Sequence, residues 1–177
     1  MRWDGVTAFD RAWGILKMPI VPGSLREIEM REEDFPEYAT EARSWEALFQ
    51  DPETDEMHPM SIRSAGYPKS NRDMAWSLTG QIGGDSERHD NLSLIFSDGR
   101  KSITRSGWLD YSYPYAGWTE TREGFRGRGY ASALYDAIAY LMDKHYGTPF
   151  VPSPEQSPDA KFLWRGRSEW PVRGDLE

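Results

Sequence analysis

The chain has no cysteine among its 177 residues. This absence excludes disulfide bonds, thiolate metal sites and a cysteine nucleophile. Long apolar runs are also missing, since no segment approaches the roughly 20 residues that a membrane-spanning helix needs. Residues 1–18 carry Asp4 and Asp10 and contain no apolar core segment, so no signal peptide is predicted. We therefore expect a cytoplasmic protein with no membrane partner.

Apolar residues are scarce, at 38 % of the chain, but eight Trp, nine Tyr and seven Phe compensate, because each aromatic ring buries a large area. The net charge of −8 does not favour non-specific binding to nucleic acid. Positive charge is nevertheless clustered at 122–128 and at 161–167. The acidic stretch 27–56 either attracts a cationic partner or is a solvated face.

Apolar periodicity and turn residues predict an alternation of strands and helices. Strands are predicted at 25–30, 75–82, 91–97, 101–109, 118–122 and 150–151. Helices are predicted at 7–17, from Asp34 through Leu48, at 131–145 with Gly147 as its C-cap, and at 159–165. A long loop is predicted at 50–69, a shorter one at 111–117, and a fraying polar tail at 168–177.

The most informative segment is the loop that joins a predicted strand to the clearest predicted helix. Gly127 and Gly129 let the backbone approach a ligand closely. The helix that follows leaves its first N–H groups unpaired and carries partial positive charge at that end. Arg126 and Arg128 add full positive charge beside it. These features predict an anion site suited to a diphosphate, and a side chain at position 129 is expected to project into that site.

Other ligand-binding and catalytic motifs fit less well. A Walker loop would end in Gly-Lys-Ser or Gly-Lys-Thr, and a dinucleotide-binding loop would have a glycine at the position of Ser132. The Gly-x-Ser-x-Gly turn of serine hydrolases is missing from the sequence. No metal site is predicted, because three histidines are far apart in sequence: His58, His89 and His145.

Residues 126–131, Arg-Gly-Arg-Gly-Tyr-Ala, resemble the R/Q-x-x-G-x-G/A acyl-CoA motif of the GNAT N-acetyltransferase superfamily. Phe125 stands where that family often has an aromatic residue, and residues 133–135 resemble the start of its next helix. Residues 25–34 resemble its first strand and the Asp that opens its first helix. The resemblance implies an N-acyltransferase that moves an acetyl or similar acyl group from acetyl-CoA, or another acyl-CoA co-substrate, to an amine.

The resemblance also implies an α+β fold of the three-layer α/β kind. Its central sheet is expected to be mixed and mostly antiparallel, with helices on both faces. The expected organisation is an N-terminal helical extension at 1–24, a GNAT-like acyl-CoA-binding domain at 25–167 and a polar tail at 168–177. The family's C-terminal strands are truncated, since few residues follow Arg167. We expect the N-terminal helix, or a second subunit of a homodimer, to cover the exposed sheet edge.

The family's acyl-CoA contacts carry over to this chain as follows. Backbone amides from position 127 to 131 are expected to hold the diphosphate: Gly127, Arg128, Gly129, Tyr130 and Ala131. Pantetheine is expected in a gap beside residues 150–151, hydrogen-bonded to the main chain of Thr121 and Glu123. Trp164 stands where the family has a Tyr that protonates the leaving thiolate. Because an indole is no general acid at neutral pH, we expect Trp164 to wall the pantetheine channel or to pack in the core.

The proton donor and the base are open at this stage. Several hydroxyl groups, or water, are candidates to replace the missing tyrosine: Ser157, Tyr113, Tyr115 and Tyr130. Glu120 is the first candidate for the base, with Glu123 and Asp110 as alternatives, and each acts through one water. For all three carboxylates the competing interpretation is an exposed or salt-bridged acid. Positioning of the amine beside the thioester accounts for part of the rate in either case.

The acceptor also stays open. The acidic balance favours an amine-bearing cationic small molecule or protein. An aromatic cluster keeps an aminated nucleobase, and hence nucleic acid, as an alternative: Tyr111, Tyr113, Tyr115 and Trp118. The other interpretation is a non-catalytic relative that binds CoA or serves as an interaction module, which the missing tyrosine and the truncated strands support.

Overall fold

The computed structural model of the chain describes residues 19–30, 41–68, 74–83, 104–110, 115–121 and 123–177. The strands in these ranges are β1 (Arg26–Ile28), β2 (Glu41–Gln50), β3 (Met57–Pro68), β4 (Met74–Ile82), β5 (Thr104–Asp110) and β6 (Tyr115–Thr121). The helices are α1 (Tyr130–Tyr146) and α2 (Pro158–Leu163). The predicted α+β class is confirmed.

The six strands form one sheet in the order β1-β2-β3-β4-β5-β6. Each strand pairs antiparallel with the next one along the chain. The described part of the sheet is therefore antiparallel throughout, whereas a mixed sheet is predicted. A helical layer on each face remains a prediction, because the most extensive described contacts between helix and sheet are those of α1 with β4, β5 and β6.

The strand β2 lies where the sequence predicts a helix through Leu48, so that prediction is wrong from residue 41 onward. Trp45 and Leu48 are spaced as on a helix, but Trp45, Ala47 and Phe49 also alternate as on a strand. The alternating set is buried, while Leu48 is 43 % exposed. Every residue of β2 pairs with β3, and this long-range pairing overrides the local helical spacing. The start of the predicted helix, at 34–40, lies outside the described residues.

The strand β3 also corrects a prediction, since it occupies most of the segment 50–69 that is predicted as a loop. Only residues 51–56 form a turn between β2 and β3. The prolines that suggest a loop stand where a strand tolerates them. Pro68 is the last residue of β3, and Pro59 precedes the first residue that pairs with β4.

Four predicted strands are confirmed with shifted ends: 25–30 as β1, 75–82 as β4, 101–109 as β5 and 118–122 as β6. The strand β6 begins at Tyr115, so the last part of the segment 111–117 is strand instead of loop. The predicted strand at 91–97 and the predicted helix at 7–17 lie outside the described residues.

Both predicted C-terminal helices are confirmed. The helix α1 ends at Gly147, which adopts the left-handed conformation of a C-cap. It buries an apolar stripe against the sheet: Ala133, Leu134, Ala137, Ile138, Leu141 and Met142. Since α1 packs on β4, β5 and β6, its N-terminus is held close to the end of β6.

The segment after α1 is predicted to be a strand, but in the structure it makes a tertiary contact instead. Residues 150–151 are not in a strand, although Phe150 is fully buried. Its carbonyl accepts a hydrogen bond of 2.8 Å from the backbone N–H of Trp170. The chain then turns into α2, which begins at Pro158, one residue before the predicted start.

The prediction that residues 168–177 fray is wrong. Trp170 and Leu176 are buried, and the Leu176 carbonyl accepts a hydrogen bond of 2.8 Å from the backbone N–H of Leu25. Trp170 Nε1 donates to Asp136 Oδ1 of α1 at 2.8 Å, and Arg173 Nη1 donates to Asp136 Oδ2 at 3.0 Å. Two apolar anchors and one partly buried carboxylate thus fasten the tail to α1.

The N-terminal end of the described chain packs beside β2. Ile20 forms an antiparallel bridge with Phe49, and the Pro19 carbonyl accepts a hydrogen bond from the backbone N–H of Gln50. This segment ends in the turn at Gly23 that precedes β1. Within the described ranges, neither helix combines the length and apolar character needed to cross a membrane.

Replacing Trp170 tests whether the tail is a structural element. Trp170→Ala should lower the free energy of unfolding by about 3 kcal/mol, because it empties a packed site and leaves Asp136 with one donor fewer. Val172→Ala is the matched control, since Val172 lies in the same segment and is 49 % exposed. Chemical denaturation measures both variants. Equal stability of the two would mean that the tail does not pack as described.

Candidate functional site

The loop between β6 and α1 has the form that the sequence predicts. It runs from Glu123 to Gly129 and turns through three glycines with positive φ: 90° at Gly124, 76° at Gly127 and 85° at Gly129. Such φ values are strained for residues with a side chain. The glycines therefore allow β6 to end and α1 to begin within one short turn.

The N-terminus of α1 carries N–H groups that no side chain caps. Its N-cap is Gly129, and the backbone N–H of Ala133 is the first to bond within the helix, to the Gly129 carbonyl at 2.9 Å. The first turn holds no acidic residue. By contrast, Ser157 caps α2 by accepting from the Ala160 N–H, and Asp159 lies in its first turn. Of these two termini, the α1 terminus is the one without a side-chain cap, which leaves its N–H groups available to an anion.

A cleft of about 710 Å³ opens beside this terminus. One wall is β6 and the glycine loop, and the other is α2 with the segment before it. Its lining includes main elements of the predicted site: Thr121, Arg126, Gly127, Gly129, Tyr130, Ala131, Ser157 and Trp164. The structure thus brings together two stretches of the chain, 119–135 and 153–164, around one cavity.

The two loop arginines have different roles. Arg126 is exposed, lines the cleft and donates from Nε to the Thr121 carbonyl at 3.0 Å. The Arg128 guanidinium instead donates to Asp51 Oδ2 at 3.2 Å and pairs with Glu53 at 3.0 Å. Arg128 is also not among the cleft-lining residues. Of the two predicted cationic side chains, Arg126 is the one placed to meet a ligand.

The two loop glycines also differ in what lies beside them. A Cβ atom on Gly127 would meet nothing within 4 Å, whereas a Cβ atom on Gly129 would meet the Pro19 side chain at 3.2 Å. The expectation that a side chain at position 129 projects into the anion site is therefore wrong, since the Gly129 Cβ direction is toward Pro19. Gly127 is the position at which a side chain can be added on the cleft side of the loop.

Asp51 fastens the loop from behind. It is 1 % exposed and accepts hydrogen bonds from the Tyr130 hydroxyl at 2.6 Å and from Arg128. The backbone N–H groups of Glu53 and Thr54 donate to its other oxygen at 2.8 and 3.2 Å. Burial alone would raise the pKa of Asp51, but these donors prevail and lower it to about 2. Asp51 is therefore a buried carboxylate at neutral pH.

Tyr130 contributes a backbone N–H to the site but not a free hydroxyl. Burial, together with the hydrogen bond to Asp51, raises the pKa of Tyr130 well above its usual value. Its ring packs on Phe49, with ring centroids 4.2 Å apart. We therefore no longer consider its hydroxyl as a replacement for the missing proton donor.

The other predicted site residues lie as follows. Ser157 lines the cleft, but its Oγ accepts the Ala160 N–H at 3.2 Å as a helix cap. Glu123 is exposed and is not among the lining residues. Glu120 lies in β6 and its side chain is outside the described part, as is the whole of Tyr113. The proposed catalytic set is thus untested by the geometry.

The cleft contains a hydroxyl pair that sequence reasoning missed. Thr119 Oγ1 and Tyr135 Oη are 2.6 Å apart, and both residues line the cleft. Tyr135 lies on α1, where its ring packs inside the fold and its hydroxyl contacts Thr119 of β6. The only sequence signal is a polar-tipped aromatic on the apolar helix face, which is more typical of core packing.

Trp164 completes the aromatic wall. It is 4 % exposed, lines the cleft and lies within 5.5 Å, between ring centroids, of Tyr135, Phe150 and Trp170. Trp164 therefore packs in the core and lines the cleft, and its role as the wall of a pantetheine channel stays a prediction.

Comparisons of the chain with protein-family models, curated proteins and solved structures found no match. The chain is assigned to no family, and the resemblance of its loop to the GNAT motif stands on its own residues.

The low pKa of Asp51 predicts a change in acid stability. A carboxyl group whose pKa falls from 3.8 to about 2 on folding stabilises the folded state above pH 4, and this contribution is lost as the pH falls from 4 to 2. Asp51→Asn should therefore remove roughly 1 to 2 kcal/mol of pH-dependent stability in that window. Urea denaturation at a series of pH values measures it. Parallel acid limbs for the variant and the wild type would contradict the assignment.

Proposed function

We propose that this protein is an acyl-CoA-dependent N-acyltransferase that transfers an acetyl or similar acyl group to an amine. The observation that carries the proposal is the uncapped N-terminus of α1, which opens with a glycine loop into a cleft of about 710 Å³. That volume is within the range of roughly 300 to 1,000 Å³ typical of small-molecule sites. The order of strand, glycine loop, long helix and short helix supports the proposal, although residues 150–151, which are expected to be a strand between the two helices, are not in one.

The residues fit the diphosphate end of CoA. The backbone amides at the start of α1 would hold the anion, as the helix dipole favours negative charge there. Arg126 adds a full positive charge on the cleft side. Gly127 leaves open space for close approach, since nothing lies within 4 Å of its Cβ direction. Arg128 would contribute its backbone amide alone, because its side chain pairs with Asp51 and Glu53.

The rest of the cleft wall suits the extended pantetheine arm of CoA, which ends in the thiol. Main-chain groups of β6 at Thr121 and the face of Trp164 line the same cleft. The Thr121 carbonyl already accepts from Arg126, so a ligand would share this acceptor or displace the arginine. Tyr135 and Thr119 lie on this cleft as well. The hydrophobic lining excludes water from one side of the arm.

A bound acyl-CoA supplies a thioester, which an amine converts into an amide with release of the thiol. One proton must leave the amine and one must reach the sulfur. We assign the donation of the proton that reaches the sulfur to Tyr135 Oη, which lies 2.6 Å from Thr119 Oγ1. Tyr135 would thus take the role of the family's tyrosine, at whose position this chain has Trp164. Glu120 remains the candidate base.

The acceptor we propose is a cationic small molecule or a protein amine. Glu155 and Asp159 are exposed on the α2 side of the cleft and add negative charge there. Opposite charge raises the local concentration of an amine substrate. The aromatic cluster that suggests a nucleobase lies partly outside the described residues.

A pair of variants at Gly127 isolates the charge of the ligand. Asn and Asp both tolerate left-handed backbone better than other residues, and they have nearly the same shape. Gly127→Asp should weaken CoA binding at least about tenfold relative to Gly127→Asn, because it places a negative charge beside the diphosphate. Calorimetric titration measures both, and the difference should shrink at high salt. Equal affinities would mean that the anion binds elsewhere.

Tyr135→Phe tests the proton donor. The turnover number should fall by about a hundredfold while KM changes little, since the ring remains and only the hydroxyl is lost. Tyr140→Phe is the control on the same helix, because Tyr140 is not among the cleft-lining residues. Steady-state kinetics across a panel of amines measures both. Unchanged turnover in Tyr135→Phe would mean that water, and not Tyr135, donates the proton to the sulfur. Binding of CoA without turnover in the wild type would favour a non-catalytic module.

A further inference from the structure

The glycine loop is held in place by contacts on the side away from the cleft. Asp51 binds the residues on both sides of Gly129, through the Arg128 guanidinium and the Tyr130 hydroxyl. Pro19 lies directly behind Gly129. The Tyr130 ring is packed on Phe49, the next-to-last residue of β2. The conformation of the loop is therefore dictated by the turn between β2 and β3, which is remote in sequence.

A loop with three glycines needs such support. Glycine has more backbone freedom in the unfolded or loosened chain than any other residue, so ordering it has a large entropic cost. If the loop were mobile, a ligand would have to order it on binding and would bind more weakly. Gly124 and Gly127 have no neighbour within 4 Å of their Cβ directions, so Gly129 is the loop glycine that packs against another part of the fold.

Asp51 is placed to hold the loop but not to contact a substrate or ligand directly. It is not among the cleft-lining residues and is 1 % exposed. Both of its oxygens are engaged by donors, since Oδ1 accepts from two backbone N–H groups and Oδ2 from Arg128 and Tyr130. A carboxylate so placed neither reaches a substrate nor accepts its proton.

We infer that Asp51 is a positioning residue, which sets the affinity of the cleft for a diphosphate by fixing the loop at Gly129 without touching the ligand. This inference rests on the proposed function. Asp51 also withdraws the Arg128 charge from the cleft, together with Glu53. The attraction for the anion then comes from Arg126 and from the backbone.

The decisive comparison is between two carboxylate variants on the full chain, one at the buried Asp51 and one at the partly buried Asp136. Asp51→Asn removes the charge that braces the loop. Asp136→Asn is the control, because Asp136 holds Trp170 and Arg173 against the same helix but is not among the cleft-lining residues. Both variants should lower the melting temperature. Only Asp51→Asn should weaken binding of CoA and of inorganic pyrophosphate, by about tenfold, with KM raised and turnover nearly unchanged.

A ligand-free measurement separates this inference from the proposed function. The ¹⁵N order parameter of Gly129 should fall from about 0.85 toward 0.6 in Asp51→Asn and should stay high in Asp136→Asn. If the wild type binds neither CoA nor pyrophosphate, the proposed function fails, and the order parameters alone decide whether Asp51 braces the loop. If the wild type binds and Asp51→Asn binds within twofold of it, the inference is overturned and the proposed function stands.

If the Asp51→Asn variant does not fold, a milder variant is tested in its place. Tyr130→Phe removes one of the two side-chain donors to Asp51 and keeps the ring packed on Phe49. It should weaken pyrophosphate binding about threefold, with Tyr140→Phe as the control. Equal loss of affinity in Tyr130→Phe and its control, or in Asp51→Asn and Asp136→Asn, would show a general effect of stability and would overturn the assignment.

Discussion

The candidate anion site depends on one constraint: the backbone N–H groups that open α1 have no partner in the helix and no side-chain cap. Unpaired backbone donors are costly unless water or a ligand satisfies them. Here they lie beside a cleft, with Gly127 open toward it and Arg126 on its rim. The same chain caps its shorter helix with Ser157. The difference between the two helix ends is what makes the α1 terminus a candidate anion site.

Local sequence predicted those parts of the fold whose signals are short in range. The helix from Tyr130 to Tyr146 has an apolar stripe and a glycine C-cap, and both are readable without tertiary information. The pair β2 and β3 could not be predicted in the same way. In β2, Trp45 fits both a helical and an alternating pattern, and only pairing along the whole strand selects the second. The buried tail was equally hidden, because Trp170 and Leu176 stand among polar residues.

The candidate site shows the same division between features with short-range signals and features set by long-range contacts. The glycine loop and its position before α1 follow from a contiguous motif, so the sequence located them correctly. The directions of the side chains do not follow from the motif. Arg128 is turned away by Asp51, which precedes it by 77 positions, and Gly129 is backed by Pro19. The Thr119–Tyr135 pair joins a strand to a helix, so no contiguous motif predicts it. Long-range contacts thus decide which residues of the motif reach the cleft.

The most direct test is a backbone NMR titration of the wild-type chain with CoA. The account predicts shifts of the amide resonances of Gly127, Gly129 and Ala131, which saturate together, while Gly147 at the opposite end of α1 stays unchanged. Inorganic pyrophosphate should move the same three resonances in the same direction. Saturable binding that leaves them unmoved, or the lack of any binding, would contradict the claim that the start of α1 holds a diphosphate.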